Sequence, residues 1–211
     1  MDKSKLVITI ERQYGSGGRI VGKLLAKELG IPFYDDEILR MTAERSAVGE
    51  QYFRLADEKA GNNLLRRIVG GMRHAPTGAP KTAGDVTSPE NLFKFQSEVI
   101  RELANTESCV IVGRCADSIL KETGNSLNIY IHAEKAFKAK HLMERNHVSY
   151  DEAVREMERL DKRRASHYKY YADQVWGLAE NYHLCLDSSL IGIEKCVSVI
   201  CDIYQTINAG Q

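Results

Sequence analysis

A short β-branched run, Leu6–Ile10 (LVITI), leads within two residues into Gln13-Tyr14-Gly15-Ser16-Gly17-Gly18-Arg19, and from there into an amphipathic stretch. Apolar residues at 20, 21, 24, 25 and 29 recur with helical spacing, and Gly30 and Pro32 mark the stop. Strand, glycine turn and helix in that order restrict the architecture. A strand apolar on both faces belongs in a covered parallel sheet. A glycine turn at its carboxyl end lets successive backbone N–H groups converge on one anion, and the helix behind it adds its positive dipole end.

The same alternation continues. Ile31–Tyr34, Cys109–Val112, Leu127–Ile131 and His183–Leu186 read as further short buried strands. Helical patterns fill residues 37–47, 51–69, 89–105, 116–121, 134–145, 149–171 and 190–207, and Ser149-x-x-Glu152 forms a capping box. Gly70–Pro89 is the one composition break, with three of the four prolines, and reads as a loop before a Ser88-Pro89 helix start. The expected fold is three-layer α/β, a five-stranded parallel sheet with helices on both faces. Its 211 residues fit one domain, 1–211, with an insertion at about 37–90 and a helical lid at about 134–172.

Composition narrows the function. Lys+Arg and Asp+Glu number 29 each, so no basic surplus suggests a nucleic-acid partner. No apolar run approaches the roughly 20 residues needed to span a bilayer, and a cytoplasmic location is expected. Cys109, Cys115, Cys185, Cys196 and Cys201 form no CxxC pair and read as small buried hydrophobes in a reducing compartment. Nothing in the sequence sets the oligomeric state.

One match misleads. Gly17-x-x-x-x-Gly22-Lys23 has phosphate-loop spacing, but Leu24 stands in place of Ser/Thr and Gly22-Lys23 lie a turn inside the helix. The loop proper is Arg12–Arg19. Other chemistry gathers where strands end: Asp35, Asp36 and Glu37 after the second, Gly113-Arg114 after the third. The acids could hold a magnesium-bound water or serve as helix N-terminal charges. Arg114 is aimed at the sheet's binding edge, with Asp117 one turn on to orient it. Arg155, Arg159 and Arg163 make an i, i+4 row, and Tyr168, Tyr170, Tyr171 and Trp176 read as packing.

Four segments carry a resemblance: ITIERQYGSGGRIVGKLLAKELGIPFYDDEIL, CVIVGRCADSIL, NIYIHAEKAFKAKHLMERNHVSYDEAVREMERLDKRRASHYKYY and YHLCLDSSLIGIEKCVSVI. Together they resemble the cytidylate kinase-like family, relatives of the bacterial cytidylate kinases among the P-loop nucleoside monophosphate kinases. The resemblance implies ATP as donor, Mg2+, and a nucleotide acceptor with CMP or dCMP first. It implies phosphate binding by Arg12, Gly15, Ser16, Gly17, Gly18, Arg19 and Ile20, and catalytic roles for Arg19, Arg159 and Arg164. Acceptor binding would fall to Asp35, Arg40, Gln96, Arg114, Asp161 and Arg164, and magnesium to Ser16 or to waters near Asp35. The chain departs from the family pattern at its centre: the loop lysine falls on Gly18 and the following hydroxyl on Ile20. Arg19 is the expected stand-in, with Arg12 the other nearby cation.

Overall fold

A computed structural model describes residues 5–36, 38, 40–42 and 89–209. The chain divides into two compact units, Met1–Asp35 with Leu103–Gln211, and Asp36–Glu102. The first contains β1 (Val7–Arg12), α1 (Gly18–Leu29) and β2 (Phe33–Tyr34). Helix α2 (Pro89–Thr106) runs from the second unit into the first. Then come β3 (Val110–Val112), α3 (Ala116–Ile119), β4 (Ser126–His132), α4 (Lys135–Asn146), α5 (Tyr150–Ala172), β5 (Leu184–Asp187), α6 (Ser188–Ile191) and α7 (Ile193–Ala209).

The five strands form one sheet in the order β2-β3-β1-β4-β5, each neighbouring pair parallel. Register is fixed through β1, whose Ile8 stands beside Val110 of β3 and Leu127 of β4. Side chains alternate along the strand. Ile8 and Ile10 turn into a core with Val21 and Leu25 of α1 and Cys196, Val197, Ile200 and Cys201 of α7. Burying each such aliphatic chain stabilises by about 1.5–3 kcal/mol.

The opposite face of β1 is polar and equally buried. Thr9 Oγ1 donates to Asn128 Oδ1 at 2.8 Å, and Glu11 accepts from Trp176 Nε1 at 3.0 Å. Tyr168 of α5, 1% exposed, donates to Asp117 of α3 at 2.5 Å. Trp176 stands edge-on to Tyr130, so Tyr168 and Trp176 do pack, as their spacing suggests; Tyr170 is 60% exposed.

Two details differ from the sequence pattern. The closing helix is broken, because Gly192 at φ +82° separates α6 from α7. Cys185 is exposed rather than buried: β5 is the edge strand, with a neighbour on one side only. The expected helix over 37–47 is helical at Ile38 and at 40–42, and the rest of it, the helix at 51–69 and the loop as far as Ser88 lie outside the described residues. The expected strands and the remaining helices among the described residues are present, and α5 opens with the Ser149–Glu152 capping box.

Candidate functional site

Beyond Arg12 the backbone turns at Gly15 (φ +85°) and Gly17 (φ +78°), and Gly17 caps α1. A side chain at Gly15 would stand 3.0 Å from the Lys138 carbonyl, so glycine here also lets the turn lie against α4. Gly22 answers to packing instead: a Cβ there would meet Val112, Phe33 and Ile10 at 3.0, 3.1 and 3.3 Å. The second glycine of the Gly17–Lys23 spacing match thus lies inside the packed helix α1 and not in the turn.

The glycine turn forms one wall of a cleft of about 280 Å³. Arg12, Arg19, Lys23, Arg145 and Arg164 all line it, five cations around a row of backbone N–H groups. Of the residues expected at the phosphates, Arg12, Gly15, Gly17, Gly18, Arg19 and Ile20 line it too. Ser16 does not. Its side chain is wholly buried, and its Oγ lies within hydrogen-bond distance of the Gln13 and Ile131 carbonyls, at 2.8 and 3.2 Å. That hydroxyl is turned into the fold and away from any metal in the cleft.

Helices α4 and α5 form a hairpin fastened to this loop. Asp161 Oδ1 accepts from Tyr14 N at 2.7 Å, and Arg164 Nη1 donates to the Arg12 carbonyl at 3.1 Å. Lys138 Nζ donates to Gln13 Oε1 at 2.9 Å. The Tyr14 side chain packs against the hairpin's own core of Ala139, Leu142, Ala153 and Met157. Its ring carries two guanidinium groups, Arg145 at 5.3 Å and Arg164 at 5.5 Å, and Arg145 Nη2 donates to its hydroxyl at 2.7 Å.

Burial governs the electrostatics of that hairpin. It pushes Arg164 down to about 10, helped by the like charge of Arg12 and opposed by Asp161. It raises Asp161, against the Tyr14 N–H bond and the charge of Arg164. Both shifts have the sign of an ion pair whose desolvation exceeds its mutual attraction. An anion in the cleft would relieve Arg164.

Arg19 points toward β2, its Nε 2.5 Å from Asp35 Oδ2. Asp35 is 7% exposed and Arg19 lies on the rim. Arg114 follows β3 in an uncommon backbone state: Gly113, Arg114 and Cys115 have φ of +74°, +67° and +54°. Left-handed non-glycine residues cost of order 1 kcal/mol each and persist where the surroundings over-determine them. Arg114 is not among the residues lining the cleft, and neither is Arg159, which is exposed on α5. The packing of the hairpin, invisible in the spacing of arginines, turns the Arg155–Arg159 face to solvent. Arg40 and Gln96 belong to the second unit, where Gln96 is buried on α2 and Arg40 is exposed.

Tyr14 and Arg145, to which the sequence pattern assigns no role, also line the cleft, and so does Lys23 of the discounted spacing match. An aromatic inside a glycine turn, and a cation at the break before the capping box, were the available signals.

A parallel sheet of order 2-3-1-4-5 with a glycine loop between β1 and α1, walled by cations, defines a P-loop kinase fold. The profile of the cytidylate kinase-like family matches residues 7–190, and the chain belongs to that family. Family and fold support a phosphotransferase that uses ATP. Among solved structures, an uncharacterized protein from Eubacterium ventriosum ATCC 27560 is 27% identical, covering 94% of this chain and 98% of its own, with a TM-score of 0.67. Shikimate kinase from Bacteroides thetaiotaomicron is 13% identical over 95% and 98% of the two chains, TM-score 0.50. The Acinetobacter baumannii shikimate kinase in complex with shikimate is 13% identical over 97% and 95%, also at 0.50. At that identity the shikimate kinases speak for the fold alone. No curated protein matches the sequence. Among the described residues, no helix is long and apolar enough to cross a membrane.

Proposed function

We propose that the chain transfers the γ-phosphoryl group of ATP to a nucleoside monophosphate, with CMP or dCMP the first choice. The observation that carries this is the convergence of Arg12, Arg19, Arg145 and Arg164 on the glycine turn at the carboxyl end of β1. Phosphoryl transfer asks a protein for in-line positioning and for charge neutralisation on the phosphate oxygens, with no covalent protein intermediate. A glycine turn backed by arginines meets both needs.

On the acceptor side, Arg114, Arg40, Gln96 and Asp35 carry the reading taken from the family pattern. The three consecutive positive φ values ending at Cys115 support Arg114, since strain of that kind gathers at ligand sites. Asp161, held on the Tyr14 amide, fits better as a positioning residue for the loop. Arg164 keeps its proposed contact with the transferring phosphate, and Arg159, outside the cleft lining, has no part in the proposal. The α4–α5 hairpin is the proposed lid over the donor phosphates.

Mg2+ is proposed to enter with the triphosphate and to be held mainly by phosphate oxygens and water, its usual mode in kinases. It would supply charge neutralisation on the phosphate oxygens. Asp35 is the carboxylate at that edge of the sheet, and the buried Ser16 hydroxyl, directed at the Gln13 carbonyl, is given no part in the proposal. Among the described residues, no group of three His, Cys, Asp or Glu is placed to hold a metal.

The test is transfer of labelled γ-phosphate from ATP across a panel of nucleoside monophosphates and small hydroxylated acceptors. Label in CDP or dCDP supports the proposal, and label in another product alone moves the acceptor class. A second reading, a nucleotide-binding module without transfer, is favoured by Gly18 and Ile20 standing where the lysine and hydroxyl belong. ATP binding with no labelled product of any kind would establish it.

A further inference from the structure

A loop of the G-x-x-x-x-G-K type sets its lysine directly after the second glycine, where it reaches the β and γ phosphates. Counted along this chain, that position is Gly18, and the first glycine of the pattern is replaced by Arg12. The two departures meet in space. A Cβ on Gly18 would stand 2.5 Å from Arg12 Cβ, 3.0 Å from Arg12 Cγ and 3.2 Å from Ile131 Cβ. No side chain fits on Gly18 while Arg12 holds its place.

A second glycine completes the channel. A Cβ on Gly113, at the end of β3, would run into Arg12 Nη1 and come within 3.3 Å of its Cζ. Two glycines from separate elements thus clear the path of one arginine, Gly18 along its stem and Gly113 under its head. The Arg12 side chain is 18% exposed and lines the cleft. Its ion-pair partner is Glu11, at a long 3.9 Å, and Glu11 is also engaged by Trp176 at 3.0 Å. Arg19 contrasts on each count, 53% exposed and drawn toward Asp35 at 2.5 Å.

We infer that Arg12 and Gly18 are a transposed pair: the loop cation is carried at the end of the strand, on Arg12, and Gly18 is the gap through which it reaches the β and γ oxygens. This deepens the phosphotransferase reading and rests on it. A guanidinium suits the task, since it meets phosphate with two parallel hydrogen bonds where an ammonium offers a point charge.

The experiment uses the full chain and two readouts: calorimetric binding of ATP and of inorganic tripolyphosphate without acceptor, and urea denaturation. Arg12→Gly should weaken both ligands by about 10- to 100-fold, the range for a lost charge-assisted contact, and Arg19→Ala should weaken them less. Arg12→Gly combined with Gly18→Lys should regain most of the binding. Gly18→Ala should lower the denaturation midpoint in the wild-type background and leave it nearly unchanged beside Arg12→Gly, a coupling that survives even if the lysine variant fails to fold. Unchanged ligand binding in Arg12→Gly, or an equal cost of Gly18→Ala in both backgrounds, overturns the inference and leaves the kinase reading standing. Wild-type protein that binds polyphosphate but phosphorylates nothing sinks the kinase reading and leaves the pair to be judged by its coupling.

Discussion

The carboxylate of Asp161 accepts the backbone N–H of Tyr14 at 2.7 Å, which ties the second helix of the hairpin to the glycine turn at main-chain level. Three residues on, Arg164 holds the carbonyl of Arg12 at 3.1 Å, so one turn of α5 grips the loop on a donor and on an acceptor. The phosphate loop is thereby shaped partly by a helix more than a hundred residues away.

This attachment separates two roles for Asp161. If it holds the loop, Asp161→Ala raises KM for ATP and lowers stability by about 2–3 kcal/mol, because Tyr14 N and Arg164 both lose a buried partner. Asp161→Asn, which keeps an acceptor oxygen, should recover most of that stability. An acceptor-binding role would instead raise KM for the acceptor alone, and steady-state kinetics with each substrate varied in turn distinguishes the two.

Tyr14 is expected to matter through its ring as well as its hydroxyl. Tyr14→Phe removes the bond to Arg145 and should weaken ATP binding by about two- to fivefold, the value of an ordinary hydrogen bond. Tyr14→Ala also removes the surface that carries Arg145 and Arg164, adding about 0.5–2 kcal/mol. Equal affinities for the two variants would show that the ring positions neither arginine.

Stability should depend on pH through Asp117. Burial first, and the nearby charge of Glu11 second, push its carboxyl up to about 7, and the bond from Tyr168 opposes them. An acid that titrates higher folded than unfolded stabilises below its ordinary value of 3.8, and that contribution is lost as pH climbs to about 7. Urea denaturation should therefore show a stability component falling between those limits, and Asp117→Asn should flatten it. An identical pH profile in the variant would contradict the assignment.

Gly22→Ala tests the discarded loop match. With Val112 and Phe33 at 3.0 and 3.1 Å from the new methyl group, overpacking should destabilise the fold by about 1–3 kcal/mol and leave KM for ATP unchanged. A large rise in that KM without loss of stability would return Gly22 to the phosphate site.

The sheet could be read in the sequence because parallel strands buried on both faces leave unbroken β-branched runs such as Val110–Val112. Glycine punctuation and the Ser149 cap located the helices for the same local reason. The centre of the site was legible too, since strand, turn and helix by themselves bring Arg12 and Gly15–Gly18 to the sheet edge. What the sequence hid is tertiary. Arg159 and Arg164 were both expected at the phosphates, and only the hairpin packing sets which face of α5 meets the loop. Arg145 gains its place only through the Tyr14 ring, and the Arg12–Gly18 exchange can be seen only when both backbones are in position. Asp117 had one expected task, orienting Arg114, and its bond to Tyr168 spans 51 residues.

If the arginine-lined cleft moves phosphate to an acceptor, turnover of ATP requires that acceptor. The direct measurement is the rate of ADP formation from MgATP with and without CMP, on the wild-type chain. The expected result is ADP formation that depends on the acceptor and is matched mole for mole by CDP. ADP formed at the same rate without any acceptor, or no ADP from a protein that demonstrably binds ATP, would contradict it.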